Sequence, residues 1–157
     1  MIMIKEAEIL VTALKKKGLK FTTAESCTGG LISGAITDVA GASAVFDGGV
    51  CAYANRIKTA LLGVPEKTLG TVGAVSAATA AAMARGARTL TGADIAVSVT
   101  GIAGPDGGTA EKPVGTVYIA AATAEGVLVR RYNFSGDRAT IRAKTVSAAL
   151  RLALMCV

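Results

Sequence analysis

A chain of 157 residues is long enough for one domain with a proper buried core and no disulfide staples. Histidine is absent, which excludes Ser-His-Asp and Cys-His catalysis and removes the commonest transition-metal ligand, so any hydrolytic base must come from lysine, tyrosine or carboxylate. The three cysteines, Cys27, Cys51 and Cys156, lack Cys-x-x-Cys spacing and suggest neither a disulfide framework nor a zinc site, while the formal net charge of +6 suits an anionic partner, a small phosphate ester or a polyanion.

Residues Ala7, Leu10, Val11 and Leu14 form one apolar helix face, and Gly18 supplies the stop. Phe21 to Ala24 reads as a short strand, Glu25 to Gly30 as a turn, and the next residues as a helix to about Thr37. A strand is expected over Gly49 to Tyr53 and a short helix over Arg56 to Leu62, ending at Gly63; Val64-Pro65 then opens a loop. Ser76 caps a long alanine-rich helix to about Leu90. Ile95 to Val99 is an almost continuous β-branched run, the pattern of a buried strand. Gly101 to Gly115 is a long Gly/Pro-rich loop, and loops of that length in compact domains usually carry function or are disordered. Thr116 to Ala124 and Val127 to Phe134 form a hairpin around Glu125-Gly126, and Asp137 precedes a last helix ending near Leu154. Alternating strands and helices followed by a late hairpin predict an α/β fold, a three-layer α/β/α sandwich around a mixed, mostly parallel sheet, with residues 1–157 as one domain.

The longest charge-free run, Thr68 to Ala84, is Gly, Ala, Ser and Thr, short of the ~20 strongly apolar residues of a membrane helix. Met1 to Glu6 shows no signal-peptide order, so a cytoplasmic location without membrane association is expected. Basic residues gather at Lys15-Lys16-Lys17 with Lys20, and at Arg130-Arg131 with Arg138, Arg142 and Lys144. Neither group is interleaved with stacking aromatics, and nucleic acid is not the expected partner. Abundant alanine faces and small size lead to the expectation of a homo-oligomer.

Ser26 falls at the carboxyl edge of the first strand and at the mouth of the next helix, the edge where ligands gather in open α/β sheets. Amides around Cys27, Thr28, Gly29 and Gly30 could meet a developing oxyanion there; equally, Ser26 or Thr28 could simply cap the helix. A neutral lysine could serve as base if burial lowers its pKa from ~10.4. Lys58 follows the second strand and could reach Ser26 from a parallel neighbour, with Tyr53 relaying a proton or orienting the amine, or it could be an exposed lysine on a short helix. Cys27 is the rival nucleophile, or a small buried cysteine. The glycines of Gly101 to Gly108 could form an anion nest or just turn the chain. Ser135-Gly136-Asp137-Arg138 could hold a phosphate through helix amides and a guanidinium.

Six ordered blocks carry a resemblance: Thr22 to Gly30 (TTAESCTGG), Tyr53 to Lys58 (YANRIK), Gly73 to Ser76 (GAVS), Gly101 to Gly108 (GIAGPDGG), Lys112 to Val117 (KPVGTV) and Phe134 to Arg138 (FSGDR). Together they resemble the nicotinamide-nucleotide amidohydrolases, the module that also forms the C-terminal domain of the competence/damage-inducible protein CinA. The resemblance implies hydrolysis of the carboxamide of nicotinamide mononucleotide, a pyridine nucleotide, without metal or organic cofactor. It implies Ser26 as nucleophile, Lys58 as base and Tyr53 as assistant. It also implies nucleotide contacts from Asn55, Gly101, Ala103, Gly104, Gly107, Gly108 and Arg138. The family block reads Tyr-Ser-Asn-Glu-Ala-Lys; here Ala54, Arg56 and Ile57 depart from it, which leaves open a nucleotide-binding module with weakened turnover and a role among competence or DNA-damage partners. The partner domain of full-length CinA proteins is not seen in the sequence, so a standalone enzyme is the expectation.

Overall fold

The computed structural model describes residues 2–157; Met1, where the stretch read for a leader begins, lies outside them, as do the side chains of residues 2–4. The elements run α1 (Ile2–Lys17), β1 (Phe21–Glu25), α2 (Leu31–Thr37), β2 (Phe46–Cys51), α3 (Asn55–Leu62), α4 (Glu66–Thr71), α5 (Ala77–Thr91), β3 (Ile95–Gly101), β4 (Thr116–Thr123), β5 (Gly126–Asn133) and α6 (Arg138–Leu154). The five strands form one sheet in the order β2-β1-β3-β4-β5. β1 pairs in parallel with β2 and β3, while the β3–β4 and β4–β5 pairs are antiparallel, so four strands share one direction and β4 alone is reversed.

Large side chains point to one face and small ones to the other, as strand alternation requires. Phe21, Ile95, Val97, Val99, Val117 and Ile119 pack in one core with α1, α2 and α6. Ala24, Ala96, Ala120 and Ala122 pack in a second core with α3 and α5. Much of the alanine in the composition therefore lies where a helix approaches the sheet closely: Ser98 Oγ donates to the Ala80 carbonyl at 2.5 Å, strand to helix. A Cβ on Gly86 of α5 would sit 1.9 Å from the Leu62 carbonyl oxygen at the end of α3. Gly86→Ala is accordingly expected to lose ~1–3 kcal/mol of stability, read from a urea midpoint.

Two elements differ from their expected form. β2 begins at Phe46 and ends at Cys51, leaving Tyr53 beyond the strand. Its glycines belong to the strand because β1 lies against them: Thr22 Oγ1 donates to the Gly48 carbonyl, and a Cβ on Gly49 would be 2.1 Å from Thr23 Oγ1. α4 was expected as loop; it buries no residue, so it has no apolar face for a periodicity to reveal. The hairpin, the Ser76 cap accepting from the Thr79 amide and the Asp137 cap accepting from the Thr140 amide form where expected. Among the described residues, no helix is long and apolar enough to cross a membrane.

Candidate active site

Glu25 of β1 is in register with Cys51 of β2 and Val99 of β3, so three parallel strands end at one edge of the sheet. The chain leaving each of them enters the same pocket, of about 280 Å³. Ser26 and Cys27 come from the β1 turn, Tyr53, Asn55 and Lys58 from the segment after β2, and Gly101, Ala103, Gly104 and Gly107 from the loop after β3. Arg138 reaches the same space from the start of α6. A wider hollow of about 490 Å³ between α3 and α5 has Arg85 as its one ionisable lining residue and no Ser, Cys or Lys. The serine, cysteine and lysine side chains gather at the strand edge instead.

Lys58 is 1% exposed, on the same face of α3 as Leu62 four residues on. Its Nζ donates to the Tyr53 carbonyl at 3.0 Å, and no carboxylate among the described residues forms an ion pair with it. Burial disfavours the ammonium and pulls the pKa below the ordinary lysine value, against a smaller opposing influence from Cys27 and Cys51. The carbonyl acceptor can take a hydrogen bond from the amine in either protonation state.

Tyr53 orients this amine through its backbone. Its ring is 62% exposed, and its hydroxyl lies 3.2 Å from Arg138 Nη2. Arg138 also donates from Nη1 to the Gly104 carbonyl at 2.8 Å, tying the long loop to the rim. At the neighbouring helix start the Asp137 carboxylate takes the Thr140 amide and is held below its usual pKa by the Thr140 side chain and amide. The Arg138 and Ala139 amides of that segment have no acceptor among the described residues.

The turn after β1 is organised by a residue without an expected role, Glu25. Its carboxylate, 1% exposed, accepts from Thr28 Oγ1 (2.6 Å), the amides of Gly30 and Ile32 (both 3.0 Å), the Ser33 amide (2.8 Å) and Ser33 Oγ (2.9 Å). Glu25, rather than Ser26 or Thr28, satisfies the start of α2. This corrects part of the expected oxyanion site: the Gly30 amide is taken by Glu25, and the Gly29 amide donates to the Ser26 carbonyl at 3.0 Å. Thr28, Gly29 and Gly30 do not line the pocket. Among the described residues, the amides of Cys27 and Thr28 are the two in this turn without an oxygen acceptor.

Cys27 is buried, and its thiol pKa is pushed up to about 11 by that burial, although its own amide and the Arg142 charge pull the other way. A thiol of that kind is protonated at neutral pH and is a poor nucleophile. Gly108 also falls outside the pocket; a Cβ there would meet the Val114 amide nitrogen at 2.7 Å, so its role is loop packing. Ala74, Val75, Thr100, Ile102 and Asp106 line the pocket without having been singled out. Thr100 Oγ1 anchors the Ala74 carbonyl at 2.8 Å. Of the three departures in the Tyr53–Lys58 block, Ala54, Arg56 and Ile57, none lines the pocket, and Arg56 is exposed, about 200° around the helix from Lys58. An acidic residue at position 56 would not be on the lysine's side.

Fold and pocket together place the chain among α/β/α domains with a pocket at the carboxyl ends of their parallel strands. Within that class it belongs to the CinA C-terminal domain family, whose model matches residues 4–157. It is 57% identical over 136 residues to a CinA-like protein of Geobacter sulfurreducens, covering 87% of this chain and 33% of that protein. It thus spans about a third of the length of such relatives. It is 55% identical over 143 residues to the nicotinamide-nucleotide amidohydrolase PncC of Enterobacter agglomerans, covering 90% of this chain and 87% of that protein. The crystal structure of the competence/damage-inducible protein CihA from Agrobacterium tumefaciens superposes with a TM-score of 0.96 at 46% identity, covering 99% of this chain and 95% of that one. A CinA superfamily protein from Escherichia coli superposes with a TM-score of 0.95 at 32% identity, covering 99% and 90%.

Proposed function

We propose that this domain hydrolyses the carboxamide of nicotinamide mononucleotide to nicotinic acid mononucleotide and ammonia, with Ser26 as nucleophile and Lys58 as base. The observation that carries the reading is a buried amine, without an anionic partner, on the same pocket as a serine hydroxyl. A lysine is costly to bury in its charged form, and a depressed pKa in a cleft is the mark of a group tuned for proton transfer. The 55% identity to a relative named for this activity, along nearly the full length of both chains, supports this choice of substrate.

In the proposed reaction neutral Lys58 Nζ takes the Ser26 Oγ proton as Oγ bonds to the carboxamide carbon and the carbonyl electron pair moves to oxygen. The Cys27 amide, on a residue that lines the pocket, is the available donor for that oxyanion. When the carbonyl reforms, the C–N bond breaks and the Lys58 ammonium returns its proton to the departing nitrogen, releasing ammonia. Lys58, neutral again, takes a proton from water, the hydroxide adds to the ester, and Ser26 leaves with the proton restored. Arg138 and Asn55 would meet the remote phosphate and ribose, where binding strengthens positioning without touching the chemistry.

The test is ammonia release from nicotinamide mononucleotide, its riboside and free nicotinamide, with the nucleotide as the preferred substrate. Activity requires neutral Lys58, so kcat/KM is expected to rise with pH through the lysine pKa, with a midpoint below the unperturbed ~10.4. A flat profile, or a midpoint at the ordinary lysine value, would argue against Lys58 as the base.

A further inference from the structure

Arg142 of α6 lies outside the pocket, yet its guanidinium grips the turn that follows Ser26. Nε donates to the Cys27 carbonyl at 3.0 Å and Nη2 to the Thr28 carbonyl at 3.1 Å, across more than a hundred residues of sequence. In a planar trans peptide the N–H points opposite to the C=O. Holding the Cys27 carbonyl on the α6 side therefore turns the Thr28 N–H away from α6. The Ser26 carbonyl is fixed in the same manner by the Gly29 amide, which sets the direction of the Cys27 N–H. These two N–H groups are the ones left without oxygen acceptors in the turn, among the described residues. A cation bonded to a carbonyl also polarises its peptide, which strengthens the N–H at the other end as a donor, here those of Thr28 and Gly29, and the Gly29 N–H passes the effect through the Ser26 carbonyl to the Cys27 N–H.

We propose that Arg142 is a positioning residue for the reaction at Ser26: its forked guanidinium fixes and polarises the Cys27–Thr28 and Thr28–Gly29 peptides, and through the Gly29 amide's bond to the Ser26 carbonyl it sets the Cys27 amide that faces the oxyanion. The inference rests on the acyl-transfer reading above. An arginine suits the task because one rigid fork spans two consecutive carbonyls, whereas the single ammonium of a lysine cannot hold both in fixed geometry.

The experiment compares wild type with Arg142→Met, Arg142→Ala and Arg142→Lys. Two rates are read: ammonia release from nicotinamide mononucleotide, and covalent labelling of Ser26 by a small phosphonofluoridate, followed by intact mass. Arg142→Met is expected to lower kcat by about 10²-fold, comparable to loss of one oxyanion donor, with KM nearly unchanged. Labelling should slow in parallel, and added guanidinium ion should restore part of both rates in Arg142→Ala. Arg142→Lys should fall between wild type and Arg142→Met, and it is read in the same way if Arg142→Met does not fold. Wild-type kcat in these variants overturns the proposal, as does a loss expressed wholly in KM or one tracking a fall in melting temperature without guanidinium rescue. If the wild type releases no ammonia from the nucleotide, the substrate assignment fails, and labelling decides Arg142 by itself. Slower labelling in the variants then supports its role, whereas equal labelling, or none in the wild type, overturns it.

Discussion

Ser26→Ala and Lys58→Met are each expected to reduce ammonia release from nicotinamide mononucleotide by at least about 10³-fold, the scale on which nucleophiles and their bases contribute. The double variant should be scarcely worse than either single one, because the two groups act as one unit. Their stabilities should behave differently. Ser26 has no bond through its hydroxyl that alanine would forfeit among the described residues, so Ser26→Ala should melt near wild type. Lys58 is a buried amine whose charged form the fold disfavours. With the folded-state pKa below the unfolded one, the unfolded chain binds more protons between the two values, and stability rises with pH across that interval. Methionine fills a similar volume without that liability, so Lys58→Met should melt at or above the wild-type temperature while inactive. Thermal melts beside the ammonia assay check both halves. An active Lys58→Met protein would remove the lysine from the mechanism.

Glu25 is expected to give the largest loss of stability in the site region. Glu25→Ala takes the carboxylate acceptor from three backbone amides and two hydroxyls around the α2 start, with the Thr28 hydroxyl and Ile32 amide fully buried. Hydrogen bonds to a buried charge are individually strong, and stranding their donors costs the full desolvation of each. A loss of ~3–5 kcal/mol is expected from urea denaturation, a large part of a typical domain's ~5–15 kcal/mol. Glu25→Gln keeps the shape but puts an NH₂ where an acceptor is needed, so it should fall between. The partly stable Glu25→Gln protein should also lose activity, because the Ser26 turn is shaped by the same carboxylate. Wild-type stability in Glu25→Ala would show that the donors find other partners.

What could be read from sequence was what local spacing encodes. The α1 stripe with Gly18 after it, the Ser76 and Asp137 caps, the β-branched run of β3 and the hairpin are all decided by neighbours within a few residues, and each formed close to its expected bounds. Ser26 was legible as a strand-tip residue for the same reason. The burial of Lys58 was half legible: its i, i+4 relation to Leu62 marks an inward face, but a lone lysine on a short helix gives no sign of what covers it. Glu25 was missed because most of its partners are backbone amides, which leave no residue-type signature. Arg142 was seen only as positive charge, since its contacts depend on where α6 packs. β2 was displaced because glycine lowers strand propensity, while its close pairing with Thr22 and Thr23 is a tertiary fact.

The small-residue bed beneath α5 reaches further than packing. Ala74 and Val75, one wall of the pocket, lie immediately before the helix, and the Thr100 and Ser98 hydroxyls tether that stretch to β3. A helix seated this closely on a sheet has no room to slide or tilt, because dense interiors resist compression. The wall is consequently held from two sides, by the helix packed behind it and by hydroxyls of the strand beneath it.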